Sequence, residues 1–180
     1  YRNVSNNDGI RFVDVTQNSG VVATEYGMGI ATWDIDNDGD FDVFLANFGT
    51  NQLFENLGDG HFQDITPGSG LEDHAWSVSA SFADVNGDRL PDLYVANYVD
   101  STLTNHKVCR DHFLRPSYCS PEHYRATSDR LYVNRGNRTF RDATDRMGIR
   151  GRHSGALGVI ADDFNSDGQT DFYVANDPVE

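Results

Sequence analysis

Three short acidic stretches stand in one register along this 180-residue chain. The first runs Asp34, Asp36, Asp38, Asp40 and Asp42 at alternate positions; the second has Asp84, Asn86, Asp88, Leu90 and Asp92; the third has Asp163, Asn165, Asp167, Gln169 and Asp171. Counted from each first aspartate, oxygen-bearing side chains occupy positions 1, 3, 5 and 9 in all three. Position 7, held by Asp40, Leu90 and Gln169, is expected to turn in a backbone carbonyl, as loops of this spacing do. Ca²⁺ takes 6 to 8 oxygens at about 2.3 to 2.6 Å, and hard oxygens without sulfur or imidazole select it over Zn²⁺ or Cu²⁺. The expectation is about three Ca²⁺ ions.

Two other readings were weighed against this one. An EF-hand opens the same way but needs flanking helices and a bidentate Glu at position 12, where this chain has Leu45, Val95 and Val174. The plainer alternative is a set of polar turns, the usual meaning of one Asp/Asn/Gly cluster. Three clusters in one register, each followed by nearly the same five residues, argue against it. Loop one has four carboxylates at its side-chain ligand positions and the others three, so loop one is expected to bind tightest. Loop two has Arg89 at position 6, where loops one and three have Gly39 and Gly168 for a sharp turn, and is expected to be weakest.

The elements that position these loops follow from an internal repeat. Phe12, Asp14 and Thr16 recur as Phe62, Asp64 and Thr66 and again as Phe140, Asp142 and Thr144; Gly20, Gly70 and Gly148 each follow four residues later. Each acidic loop leads into a matching run, VFLAN at 43–47, LYVAN at 93–97 and FYVAN at 172–176. Asp34 to Asp84 is 50 residues and Asp84 to Asp163 is 79, so an insertion of about 29 lies within 98–128. A period near 50 suits a four-stranded propeller blade. In the complete unit, strands are expected over 29–35, 43–46, 52–56 and 61–65, with a tight turn at Asp59-Gly60. No sustained 3.6-residue periodicity appears, so helix content should be small. The fold class expected is all-β: one propeller segment made of a partial blade 1–28, a blade 29–78, a blade 79–155 carrying the insertion, and a partial blade 156–180.

Composition sets bounds on partners. Asp and Glu number 28 against 14 Lys and Arg, a formal charge of −14 that would repel a phosphate backbone and excludes nucleic acid as a partner. Three bound Ca²⁺ would bring the net to −8. No apolar run reaches the roughly 18 residues of a membrane span, and no leader opens the chain, so any export signal is expected to be gone already.

The recurring D-x-[DN]-x-D-x-x-x-D loop, the strand after it, and the N-x-G-x-x-x-F-x-D-x-T stretches at 56–66 and 134–144 together resemble FG-GAP/VCBS repeats. More closely, the chain is similar to the bacterial and animal proteins related to cartilage acidic protein, of the ASPIC/UnbV type, including the Cys-Ser-Pro-Glu-His-Tyr run at 119–124. The resemblance implies a seven-bladed, integrin-α-like propeller with Ca²⁺ in its blade hairpins, exported to the extracellular space, cell surface or periplasm, and used for adhesion or recognition. Seven blades need roughly 350 residues. The chain aligns from within a third strand to just after a second, so the rest of the ring is expected from a longer chain or another subunit.

The insertion holds the remaining candidates. Cys109 and Cys119 lie near His106, His112 and His123, which leaves a disulfide, a Zn²⁺ site or free thiols open; two cysteines ten apart in an exported protein favour the disulfide. Tyr98, Arg110, Phe113, Arg115, Tyr118, Tyr124 and Arg125 have the composition of a contact surface for a protein or glycan partner, weighed against simple packing of the loop. Trp33 and Trp76 read as core or blade-interface aromatics. Two sequons, at 3–5 and 137–139, are too short a signal to use. No Ser-His-Asp order, phosphate loop or nucleophile elbow stands out, so the expectation is a binding module rather than an enzyme. The alternative is a domain of a polysaccharide-processing enzyme or a subunit of a larger membrane-associated complex.

Overall fold

The computed structural model describes residues 1–105, 107–149 and 155–177. A short pair, β1 (Arg2–Asn3) with β2 (Phe12–Val13), precedes the first full sheet. That sheet joins β3 (Tyr26–Trp33), β4 (Asp42–Phe48), β5 (Gln52–Asn56) and β6 (Phe62–Asp64) antiparallel in sequence order. The second begins with β7 (Ser77–Ala83) and β8 (Asp92–Asn97), is interrupted by the small hairpin β9 (Cys109–Arg110) and β10 (Pro116–Ser117), and resumes with β11 (Arg130–Asn134) and β12 (Phe140–Asp142). A hairpin of β13 (Ala156–Asp162) and β14 (Asp171–Asn176) follows. Among the described residues the only helical pieces are two 3₁₀ turns, Thr16–Asn18 and Pro121–His123.

The architecture is all-β, and its stacked four-stranded antiparallel sheets are consistent with propeller blades. The strands of the first unit fall where alternation and turn residues put them, with one shift. The first strand starts at Tyr26 and ends at Trp33, so Ile35 is not in it; Ile35 turns into the core, fully buried. The early start accommodates an irregularity: pairing slips between Gly27 and Gly29, and again at Ser77/Ser79 and Ala156/Gly158, the corresponding place in each unit. The expected end of the last unit, at 180, lies outside the described residues, as does His106.

The core lies between sheets. Ile35, Phe44, Leu53, Leu71, Phe82, Leu93 and Val95 pack the first sheet on the second. Tyr94, Ala96 and Leu131 of the second meet Ala156 and Val159 of the third unit. Every residue of β8 is buried because alternate side chains point into different cores. That is why this strand reads as a continuous apolar run and not as an alternation.

Two of the three glycines that close the repeats make a close backbone approach. Gly70, at φ +84°, lies so near β12 that a Cβ would stand 2.3 Å from the Phe140 carbonyl oxygen, and Gly20 makes the same approach to Phe62 at 2.2 Å. Beside each glycine the preceding serine carbonyl accepts the phenylalanine N–H, Phe140 to Ser69 and Phe62 to Ser19, both at 2.7 Å. Gly20 and Gly70 thus form seams between successive units, whereas the third glycine of the repeat, Gly148, has the same positive φ but meets nothing within 4 Å among the described residues.

Candidate metal centre

Each acidic loop is a tight turn joining the first two strands of its unit, β3 to β4, β7 to β8 and β13 to β14. The first aspartate organises it from within. Asp34 accepts the N–H groups of Asp38 at 3.1 Å and Gly39 at 2.9 Å; Asp84 accepts those of Asp88 at 3.2 Å and Arg89 at 2.8 Å, and also that of Gly87 at 2.7 Å; Asp163 accepts those of Asp167 at 3.1 Å and Gly168 at 2.8 Å. These backbone donors hold the Asp163 carboxyl below the usual carboxylate range, the Gly168 N–H most of all. The three loops therefore share one geometry, as their common spacing predicts.

Two positions in each loop are left-handed, and each loop fills only one with glycine. Loop one has Asn37 (φ 62°) and Gly39 (φ 98°), loop two Gly87 (φ 78°) and Arg89 (φ 69°), loop three Ser166 (φ 63°) and Gly168 (φ 84°). Arg89 is strained as its sequence position suggested. Loop two moves its glycine to position 4 instead of lacking one, so a missing glycine does not set it apart.

The aspartate at position 9 ties the loop to the third strand of its sheet. Asp42, 2% exposed, accepts the Ile35 N–H at 2.9 Å and the Asn56 N–H of β5 at 2.8 Å. Asp92 does the same with Val85 at 3.1 Å and Asn134 of β11 at 2.9 Å. Burial pushes the Asp42 carboxyl up to about 6, partly offset by those two donors, and raises Asp92 in the same direction. A buried carboxylate raised by desolvation gains from a cation beside it.

Loop one brings one carboxylate oxygen from each of Asp34, Asp36 and Asp42 within 4.8 Å of one another. Asp36 Oδ1 is buried with no hydrogen-bond partner, an arrangement that costs free energy unless something positive meets it. This trio of hard oxygens fits Ca²⁺. Asp38 and Asp40 stand outside it: Asp38 Oδ1 accepts the Asp40 N–H at 2.9 Å, and position 7 needs only a backbone carbonyl. In loops two and three the equivalents of Asp36 are Asn86 and Asn165, each accepting the N–H of the aspartate two residues on at 2.9 Å.

Two residues at this centre, Arg138 and Glu55, stand at none of the positions that the repeat motifs specify. Arg138, in the β11–β12 turn of the second sheet, donates from Nε to Asp36 Oδ2 at 2.9 Å and ion-pairs with Glu55 on β5. Only the register of that turn against 56–62, which puts Gly60 opposite Arg138, marks it as a place where the units differ.

The insertion lies toward the opposite ends of these strands. Cys109 and Cys119 form a disulfide. Tyr118 and Phe113 project into solvent, Arg115 pairs with Asp111 at 2.8 Å, Arg110 donates to the Leu114 carbonyl, and Lys107 lies over the Tyr124 ring and donates to the His123 carbonyl. Arg125 is exposed. Tyr98 is not a surface residue: it is buried against Trp76, its hydroxyl donates to Asp177 at 2.6 Å, and its ring covers Gly155, where a Cβ would be 2.6 Å away. Trp76 packs between Phe48 and Tyr98 as a unit-to-unit aromatic, whereas Trp33 is 44% exposed on the open face of β3. A groove of about 500 Å³ lined by Trp76, Tyr118 and Tyr124 runs beside the disulfide.

Among the described residues no helix is long and apolar enough to cross a membrane. Comparison with known proteins gives two matches. Residues 34–95 match the family model of the FG-GAP-like repeat, a stretch that spans loop one, loop two and the strands between them. Cartilage acidic protein 1 of Xenopus tropicalis is 28% identical over 166 residues, covering 85% of this chain; the chain spans only 23% of that relative's length. Three acidic loops in one register, a strand order repeated unit by unit, and both matches point one way: over residues 34–95 the chain is similar to the FG-GAP-like repeat.

Proposed function

We propose that this chain is a Ca²⁺-stiffened segment of a β-propeller in an exported protein, and that it acts as a binding module rather than an enzyme. The buried, unpartnered Asp36 Oδ1 beside Asp34 and Asp42 carries the reading, since a cation is what would satisfy it. Loops two and three share the loop hydrogen bonds and are proposed to take one ion each. The position 9 aspartates give the ion its structural leverage, because a ligand that also holds the third strand makes ion binding a matter of whole-sheet stability. The disulfide supports an oxidising compartment outside the cytoplasm. Exposed Tyr118 and Phe113, with the groove beside Trp76, support the insertion as the face offered to a protein or glycan partner.

The test is thermal unfolding in excess Ca²⁺ and again in EGTA, with bound metal counted by native mass spectrometry. An ion that binds only the folded state stabilises it by RT ln(1 + [L]/Kd), about 2.7 kcal/mol per site at a hundredfold excess over Kd. The expected result is a sharply lower melting temperature in EGTA and the loss of about three ions. An unchanged melting temperature with no metal found would reduce the loops to polar turns.

A further inference from the structure

Loop one differs from the other two at one ligand position, and that difference has a partner on the next sheet. Position 3 is Asp36 in loop one but Asn86 and Asn165 elsewhere, so loop one alone brings a fourth carboxylate. That fourth carboxylate is the one Arg138 holds, at 2.9 Å through Asp36 Oδ2. The two carboxylates are shielded, the Asp36 side chain 15% exposed and that of Glu55, the second partner of Arg138, 9%, while the Arg138 side chain that reaches them is 46% exposed. Asp36 thus divides its oxygens, giving Oδ2 to the guanidinium and leaving Oδ1 buried and free. Asn134, at the start of the same turn, donates from Nδ2 to the Ile35 carbonyl at 3.0 Å and fastens the second sheet to loop one.

We propose, resting on the reading of loop one as a Ca²⁺ site, that Arg138 is a fixed counter-charge for that site. It cancels the extra carboxylate, so the cation in loop one meets the same net ligand charge as in loops two and three. Asp36 with Arg138 then stands in for the asparagine of the other loops. Loop one consequently does not bind tightest through its fourth carboxylate, and its occupancy is coupled to the packing of the second sheet. The corresponding turn position in the first sheet is Gly60, so the arginine is not a routine feature of the repeat.

The full chain is titrated with Ca²⁺ while the amide resonances of Gly39, Gly87 and Gly168 report loops one, two and three separately. Removing one positive charge a few ångströms from a divalent ion is worth about three- to tenfold in affinity at solvent-like dielectric. R138Q is therefore expected to tighten loop one by that factor and leave Gly168 unmoved. R138K, which keeps the charge, should leave loop one unchanged. D36N should weaken it, and D36N combined with R138Q should return it to the native value. Weakening or no change in R138Q, or R138K behaving like R138Q, overturns the counter-charge. Should R138Q fail to fold, E55Q tests the same claim in the opposite sense: it removes a nearby carboxylate and leaves the guanidinium wholly to Asp36, so loop one should weaken, and tightening would refute the proposal. If no glycine responds to Ca²⁺ in the native chain, the cation reading of the loops itself fails.

Discussion

At the scale of single residues, the repeat performs its own substitution experiment at Asp129. This half-buried carboxylate accepts the Asn97 N–H and the Tyr94 hydroxyl, both at 2.8 Å. The first unit has Asn51 in the same place, accepting the Asn47 N–H at 2.9 Å. Burial raises the Asp129 carboxyl above its ordinary range, with those two donors pulling the other way. A carboxyl raised in the folded state holds its proton more tightly there than in the unfolded chain. Its contribution to stability is full below the unfolded value and is lost as pH rises through the folded one. Asp129→Asn keeps the acceptor for Asn97 and removes the titration, and Tyr94 can turn to accept instead. The variant should lie within about 1 kcal/mol of the native protein at pH 7. The native protein should gain on it as pH falls toward 4, as read by urea unfolding of both at each pH. A difference that stays flat with pH would mean that the carboxyl is not perturbed by its burial.

Among elements, the seam between units is the feature on which the fold depends most sharply. Gly70 and Gly68 both have positive φ, +84° and +80°, and sit two residues apart, but only Gly70 faces another backbone. Alanine at either position carries the left-handed penalty of about 1 to 2 kcal/mol. At Gly70 the methyl would also meet the Phe140 carbonyl, so G70A should be less stable than G68A by a further 1 to 3 kcal/mol, roughly the cost of overpacking. Equal denaturant midpoints for the two would show that the sheets part at no cost. The sequence makes this much of the fold readable because glycine, phenylalanine and the acidic loops recur with their spacing intact, and periodicity of that kind reports on neighbours as well as on local structure. What it leaves hidden is pairing that happens once. Arg138 reaches Asp36 across 102 positions, and Tyr98 has the sequence signature of a contact residue because its aromatic ring and hydroxyl suit a surface as well as a seam. Nothing local told that its ring would be laid over Gly155.

The whole molecule has to fold under a formal charge of −14, much of it gathered into three turns at matching ends of adjacent sheets. Without ions those turns repel one another as well as themselves, and the position 9 aspartates transmit that strain directly to β5 and β11 through their backbone hydrogen bonds. Added salt screens such repulsion, with a Debye length of about 10 Å at 0.1 M falling to about 3 Å at 1 M. Bound Ca²⁺ neutralises it at the source. The two should therefore be partly redundant: in EGTA the melting temperature should rise as NaCl is raised from 0.05 to 0.5 M, whereas in saturating Ca²⁺ the same salt should change it much less. Hydrophobic contributions respond to NaCl in both states alike, so the difference between the two salt series isolates the charge term. Parallel series would mean that the loops tolerate their own charge, and that any stabilisation by Ca²⁺ comes from ordering the turns instead of from relieving repulsion between them.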